Sequence, residues 1–191
     1  MLALLGCDEK KPSGEAPSRF AGVTRKPAAA NAPAFCEKTW EPGKGPEVTL
    51  PALRPLGPDA PAPGKGWRWV NVWATWCVPC VEEMGLLANW KNALEKDGLP
   101  VHFELLSVDE PDAEEKLKAW LKKDLPGPVK WVKNKDDVGP WLLKIGASAD
   151  ESIPIHALVG PDGKLRCTRI GALGASDYGS VKSFIASAAA P

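Results

Sequence analysis

The sequence predicts an α/β fold: a central mixed β-sheet flanked by helices on both faces, with an N-terminal extension. Three observations lead there. Short apolar runs that suit buried strands alternate with longer stretches in which apolar residues recur every three or four positions. The last two apolar runs are joined by Gly160-Pro161-Asp162-Gly163, a turn that makes them a hairpin. Alternating strands and helices call for parallel neighbours and a hairpin for antiparallel ones, so the sheet is mixed and both its faces need cover.

Taken in order, residues 8 to about 34 are mostly Lys, Pro, Ser, Gly, Glu and Ala, with almost no large apolar side chain. Such a segment buries too little surface to offset its ordering entropy, so it reads as a flexible tether. At ~5–6 Å × √n it spans on the order of 30 Å. Ahead of it, Leu4-Leu5-Gly6-Cys7 resembles a bacterial lipobox, in which the cysteine carries a diacylglyceryl thioether. The six residues before Cys7 lack a basic start and fall short of the ~15–30 of an export signal, so a chance Leu-Leu-Gly-Cys competes with this reading. The expected division is a lipobox or signal remnant over 1–7, a tether over 8–34 and one globular domain over 35–191.

Order is expected from Phe35-Cys36 onward. Val48-Thr49-Leu50 and Ala52-Leu53 read as short extended pieces broken by Pro51 and Pro55. Proline and glycine between Gly57 and Gly66 mark a loop. Trp67 to Ala74 is a buried strand by its near-continuous apolar character. Met84, Leu87, Trp90 and Leu94 place a helix from Val81 to about Lys96, with Gly98 as its stop. Val101 to Val108 is the second strand. Asp112 to Leu125 is the second helix, with Ala113, Leu117, Trp120 and Leu121 on one face. Val129 to Val132 is a short extended piece, and Val138, Trp141, Leu142 and Ile145 form the stripe of a third helix. Ile155 to Val159 and Lys164 to Ile170 are the strands of the hairpin. Tyr178, Val181, Ile185 and Ala188 mark a last helix with Ser176 or Asp177 at its N-terminus.

Composition narrows the function. The 24 basic and 24 acidic residues cancel, leaving no basic surplus for nucleic acid. No apolar run reaches the ~18 residues that a membrane span needs. The nine tryptophans read mostly as large core and rim residues, with Trp76, next to Cys77, as the exception.

The chemistry concentrates in Asn71 to Met84, N-V-W-A-T-W-C-V-P-C-V-E-E-M. Cys77 and Cys80 stand at a strand-to-helix junction with two residues between them. A thiolate, not a thiol, attacks a disulfide, and the free N–H groups of a helix N-terminus favour negative charge at Cys77. The spacer sets Cys80 one turn in, within reach of an intramolecular disulfide. A bare C-x-x-C is equally half of a zinc site, but His102 and His156 do not stand at ligand spacing to complete one.

With these residues in this setting the chain resembles the thioredoxin fold over roughly residues 46–190. Within it, the chain is similar to the TlpA/ResA-like group of exported thiol–disulfide oxidoreductases, whose N-F-W-A-T-W-C-x-P-C is matched with Val72 in place of Phe. The resemblance implies a cis-proline at Ile153-Pro154, facing the cysteines, with the Ile153 backbone turned outward to pair with an extended client. It implies that Asn71 replaces the buried Asp of cytoplasmic thioredoxins and cannot take a proton. Glu83, three residues past Cys80, would do so instead, its pKa raised by partial desolvation. Glu82 is expected to be solvated. Trp76, Val78, Pro79 and Ile153 would meet the client, with Pro79 also shaping the turn between the cysteines. The sequence departs from the group's pattern at Gly85, where proline is usual, and at Ile155-His156, where a Thr-rich pair is usual. His156 reads as a strand residue, with a place near the site as the alternative.

The function implied is a protein-disulfide reductase. Cys77 attacks, Cys80 resolves, and no cofactor or metal is needed beyond the redox-active Cys77–Cys80 disulfide. Implied clients are disulfide-bearing proteins of cytochrome c maturation or copper-site assembly, with electrons from a membrane thiol donor. The implied location is extracytoplasmic (periplasmic), with a lipid on Cys7 as membrane anchor. Two cysteines are left over, Cys36 and Cys167. In an exported protein such a pair suggests a structural disulfide, and some members of the group tie an N-terminal extension to the sheet in this way. Two unpaired thiols are the other possibility. Competing functions are a disulfide oxidase or isomerase, a thiol peroxidase and a non-enzymatic metal-binding module. Oxidases usually carry an inserted helical domain, for which the connections are too short. A peroxidase needs Pro-x-x-x-Thr-x-x-Cys, which the residues before Cys77 do not supply.

Overall fold

A computed structural model describes residues 35–57 and 66–188. The expected lipobox with Cys7 and the tether over 8–34 lie outside the described residues. The strands are β1 (Lys38–Thr39), β2 (Leu53–Arg54), β3 (Trp67–Trp73), β4 (Val101–Ser107), β5 (Val129–Val132), β6 (Ile155–Val159) and β7 (Leu165–Ile170). They form one sheet in the order β1-β7-β6-β3-β4-β5-β2. β3 pairs in parallel with β4, and β4 with β5, while β6 runs antiparallel to both β3 and β7. The thioredoxin-like mixed sheet expected from the sequence is the one observed.

Strand β3 lies at the centre because both its faces are apolar. Trp69 and Trp73 are fully buried on one face, and Val70 and Val72 on the other. Trp67 and Trp69 pack with Leu87, Trp90, Phe103, Val181 and Ile185, drawn in part from helices α1 (Val78–Lys96) and α4 (Tyr178–Ala188). Val70 and Val72 pack with Leu106, Trp141, Leu142 and Ile155, which brings in α3 (Val138–Lys144). A third cluster, at the carboxyl end of β3, joins Trp73, Met84, Leu105, Leu117 and Trp131 to Cys77 and Cys80. It includes Leu117 of α2 (Glu114–Trp120).

Several element ends differ from expectation for local reasons. α1 starts at Val78 rather than Val81, because Cys77 caps it and a proline in the first turn loses no intrahelical bond. The second helix was expected to reach Leu125 but stops at Trp120. The N–H groups of Lys122 and Lys123 donate to Ala119 and Trp120 three residues back, a tightening turn, and Pro126 blocks any continuation. Val48–Leu50 forms no strand. Val48 N–H donates to Gly163 O beside the β6–β7 turn, and the short strand that follows in sequence, Leu53–Arg54, pairs with β5 at the opposite edge of the sheet. α4 begins at Tyr178, so Asp177 stands at its N-terminus as expected, and its carboxylate accepts the N–H of Gly174 at 2.9 Å.

Cys36 and Cys167 are joined by a disulfide with their Cα atoms 5.5 Å apart. It fastens the start of the extension to β7. Among the described residues no helix is long and apolar enough to cross a membrane.

Candidate active site

Strand β3 ends at Trp73, and Ala74 to Trp76 turn the chain into α1. Cys77 is the N-cap of that helix, and its Sγ accepts the N–H of Cys80 at 3.3 Å. The two cysteines form a disulfide, with Cα atoms 5.3 Å apart. They differ in access: Cys77 is 5% exposed and Cys80 not at all. Beside Cys77, Trp76 and Val78 are 62% and 65% exposed. Two large apolar side chains left in water at a reactive centre are the kind of surface that meets another chain.

The turn is anchored by Asp109, just past the end of β4. Its carboxylate accepts the Thr75 backbone N–H at 3.0 Å, the Thr75 hydroxyl at 2.6 Å and the Ser107 hydroxyl at 2.8 Å. The sequence reading did not single out Asp109. The available signal was its position at the carboxyl end of a parallel strand next to β3, where functional loops of α/β sheets gather.

Across from the disulfide, the Ile153–Pro154 peptide bond is cis. The carbonyl oxygen of Ile153 lies 3.8 Å from Cys77 Sγ. Trp76, Val108, Val138, Leu142 and Ile153 contribute to the walls of an adjoining groove of about 390 Å³. Pro79 is exposed within the first turn of α1. Trp76, Val78, Pro79 and Ile153 therefore surround Cys77.

Glu83 points inward and is 3% exposed, while Glu82 faces solvent. Gly85 does not interrupt α1, and a side chain there would meet open space. Glu83 Oε1 accepts from Asn71 Nδ2 at 2.9 Å, and Oε2 accepts the N–H of Leu173 at 3.1 Å. Burial pushes its pKa up from 4.5 to about 7, although the Leu173 and Asn71 donors pull the other way.

His156 is the strand residue expected, and it also lies beside the site. His156 sits on β6 directly opposite Asn71 on β3 and is fully buried. Its Nδ1 accepts the indole N–H of Trp69 at 3.2 Å and lies 3.2 Å from Asn71 Nδ2. Its Nε2 is 3.6 Å from Glu83 Oε1. Burial pushes its pKa down to about 3, so the ring is neutral at physiological pH and this approach is not an ion pair. The sequence did hold a signal: one polar residue in the apolar run Ile155 to Val159.

Among the described residues, no three His, Cys, Asp or Glu side chains gather as metal ligands. The arrangement suits thiol chemistry: a capped, partly accessible sulfur, a buried partner sulfur, and behind them a carboxyl able to change protonation near neutral pH.

Comparison with known proteins agrees with this geometry. The chain is 31% identical over 131 residues to thiol:disulfide interchange protein CycY of Rhizobium leguminosarum, covering 69% of this chain and 61% of that one. It is 28% identical over 103 residues to thiol-disulfide oxidoreductase ResA of Bacillus cereus, covering 53% of each. Among solved structures, a thioredoxin-related protein of Neisseria meningitidis superposes with a TM-score of 0.53 at 22% identity, covering 69% of this chain and 91% of that one, a likeness of fold. No protein-family profile matches. The chain spans about half the length of the curated relatives it matches.

Proposed function

We propose that the chain is a member of the TlpA/ResA-like group of thioredoxin-fold proteins and, on that premise, a thiol–disulfide oxidoreductase that reduces client proteins outside the cytoplasm. The reaction starts from the dithiol. The Cys77 thiolate attacks a client disulfide. That S–S bond breaks, a mixed disulfide forms, and the first client thiolate leaves and takes up a proton. Cys80 passes its proton to the Glu83 carboxylate and attacks the Cys77 sulfur. The second client thiolate leaves and is protonated in turn. Two electrons have moved to the client, and Cys77 and Cys80 are joined as in this structure.

The roles follow from position. The cap of α1 favours a thiolate on Cys77, toward which the Cys80 N–H already points. Cys80 is out of reach of a client until the mixed disulfide has formed. Glu83 lies one turn further along α1 and supplies the proton acceptor that Asn71 cannot be. The Ile153-Pro154 segment holds an extended client against Cys77, and Trp76, Val78 and Pro79 provide the surface around it. One observation carries the reading: a cysteine at the edge of the surface, 5% exposed, and a fully buried one at one helix N-terminus, with a buried carboxyl of shifted pKa one turn further along that helix.

We assign clients of the cytochrome c maturation or copper-site assembly type, electrons from a membrane thiol donor, and attachment to the membrane through a lipid on Cys7. These assignments rest on the resemblance of the Asn71 to Cys80 motif and of Leu4 to Cys7. Cys36–Cys167 is assigned as the structural disulfide.

Two experiments test the function. Iodoacetamide is expected to label Cys77 of the reduced protein far faster than Cys80, and Cys80→Ser to trap clients through Cys77. Equal labelling, or trapping through Cys80 alone, refutes the division of labour. The reduction potential decides direction: a value near the thioredoxin end of the ~−120 to −270 mV range supports a reductase, and one near the upper end an oxidase.

A further inference from the structure

The reaction as written leaves His156 unused, although it is buried against the residue that handles the proton. We propose that His156 is a positioning residue for Glu83: its Nε2–H is the donor that meets the negative charge when the Glu83 carboxyl gives up its proton, and it thereby sets the pH range in which Glu83 serves Cys80. The proposal rests on the reading of Glu83 as the proton acceptor for Cys80.

The hydrogen bonds fix the tautomer. An indole N–H can only donate, so Trp69 Nε1–H makes Nδ1 of His156 the acceptor. Asn71 Nδ2 carries two hydrogens and lies within reach of both Glu83 Oε1 and the same Nδ1. The proton of the neutral ring is therefore on Nε2. Among the described residues Nε2 has no hydrogen-bond partner, although it is fully buried. Buried donors are nearly always paired, so an unpaired one is an anomaly that needs a reason. Two acceptors approach it, the backbone of Gly171 and, at 3.6 Å, Glu83 Oε1. That separation is just outside hydrogen-bond range, and a few tenths of an ångström would close it.

The surroundings make His156 a donor rather than a carrier of charge. Burial is the strongest influence against protonating the ring. The backbone of Gly171 favours a positive charge there, and Arg169, its pair on β7, opposes one. Arg169 is itself engaged with Glu37. From β3 the ring meets only the neutral Trp69 and Asn71, and from α1 the Glu83 carboxyl, with Cys80 one turn before it. A neutral donor favours the carboxylate over the carboxylic acid. Its loss therefore shifts ionisation of Glu83 to higher pH, and at neutral pH less carboxylate remains to accept the Cys80 proton.

The test is a carboxyl titration of Glu83 by ¹³C NMR in the reduced full chain, with disulfide exchange measured against pH alongside. His156→Leu is expected to raise the Glu83 midpoint by about one pH unit and to move the exchange profile with it. His156→Gln keeps an acceptor for Trp69 and Asn71 and an N–H toward Glu83, so its midpoint is expected to lie near that of the wild type. In a Glu83→Gln background, His156→Leu is expected to leave the exchange profile unmoved, because the residue through which His156 acts is gone. If His156→Leu does not fold, ¹⁵N NMR of the wild-type imidazole decides: the ring is expected to be protonated at Nε2, and that signal to shift with the Glu83 midpoint. An unshifted Glu83 midpoint in His156→Leu, or an Nδ1-protonated ring in the wild type, overturns the proposal. If the titrations behave as expected but the reduced protein exchanges with no disulfide substrate, the His156–Glu83 pairing stands and the reductase reading falls.

Discussion

Replacing Glu83 with glutamine is expected to strengthen the oxidised fold in alkaline solution and weaken it in acid. Between pH 4.5 and about 7 the folded protein keeps a proton on Glu83 that the unfolded chain has already lost. Stability contributed by the neutral carboxyl is complete below pH 4.5 and is lost as pH rises through about 7. At ~1.4 kcal/mol per pH unit, the wild type loses ~3 kcal/mol across that window. Glutamine has no such loss. Its amide can accept from only one of the two donors, Asn71 Nδ2 and Leu173 N–H, which costs about 1 kcal/mol at every pH. The variant should therefore be ~2 kcal/mol ahead at pH 8 and ~1 kcal/mol behind at pH 4. Urea unfolding followed by tryptophan fluorescence from pH 4 to 9 reads this directly. With both disulfides intact neither Cys77 nor Cys80 titrates, and groups common to the two proteins, Cys7 included, cancel in the difference. A stability difference that stays constant with pH would show that Glu83 is not desolvated, and the proton-acceptor argument would fail with it.

Three further outcomes are expected. Replacing Cys36 and Cys167 together opens a bridge across 131 residues of sequence separation, worth up to about 5 kcal/mol by chain entropy. Denaturant unfolding should show the loss while insulin reduction persists, and free thiols at both positions in peptide maps of the native protein would contradict it. Asp109→Asn sets amide hydrogens against the Thr75 and Ser107 donors and should cost about 1–3 kcal/mol, visible as a lowered Tm with slower client exchange. Burial keeps His156 neutral down to about pH 3, so the wild type loses stability as pH falls below 6.5, and His156→Gln should move the acid-unfolding midpoint to lower pH.

The legible parts of the fold were those with a repeating pattern. Trp67 to Trp73 announces a strand buried on both faces, and Leu87, Trp90 and Leu94 announce the inner face of α1. That stripe, extended back by four residues, passes through Glu83 and misses Glu82, so the choice between adjacent glutamates is written in the helical period. The two-residue strands β1 and β2 are too short for any period, and only their partners define them. The second helix was overextended because Leu121 continues the apolar stripe while the local turn has already tightened. The partners of His156 were hidden for a different reason. Alternation gives the side of the sheet it faces, but not that Asn71 is its cross-strand partner or that Glu83 descends from the helix above. For Asp109 the place at the end of the second strand was legible, but its reach to Thr75 depends on two parallel strands lying side by side.

The extension from Lys38 to Arg54 does more than attach to the domain. It contributes β1 beside β7 and β2 beside β5, and so occupies both outer positions of the seven-stranded sheet. Each border strand is two residues long, which leaves very little free backbone ladder for another polypeptide to join. Short border strands of this kind guard against edge-to-edge aggregation. Among the described residues the borders of the sheet offer an incoming strand little template, so the proposed alignment of a client beside Pro154, next to Cys77, would have little competition from the sheet edges.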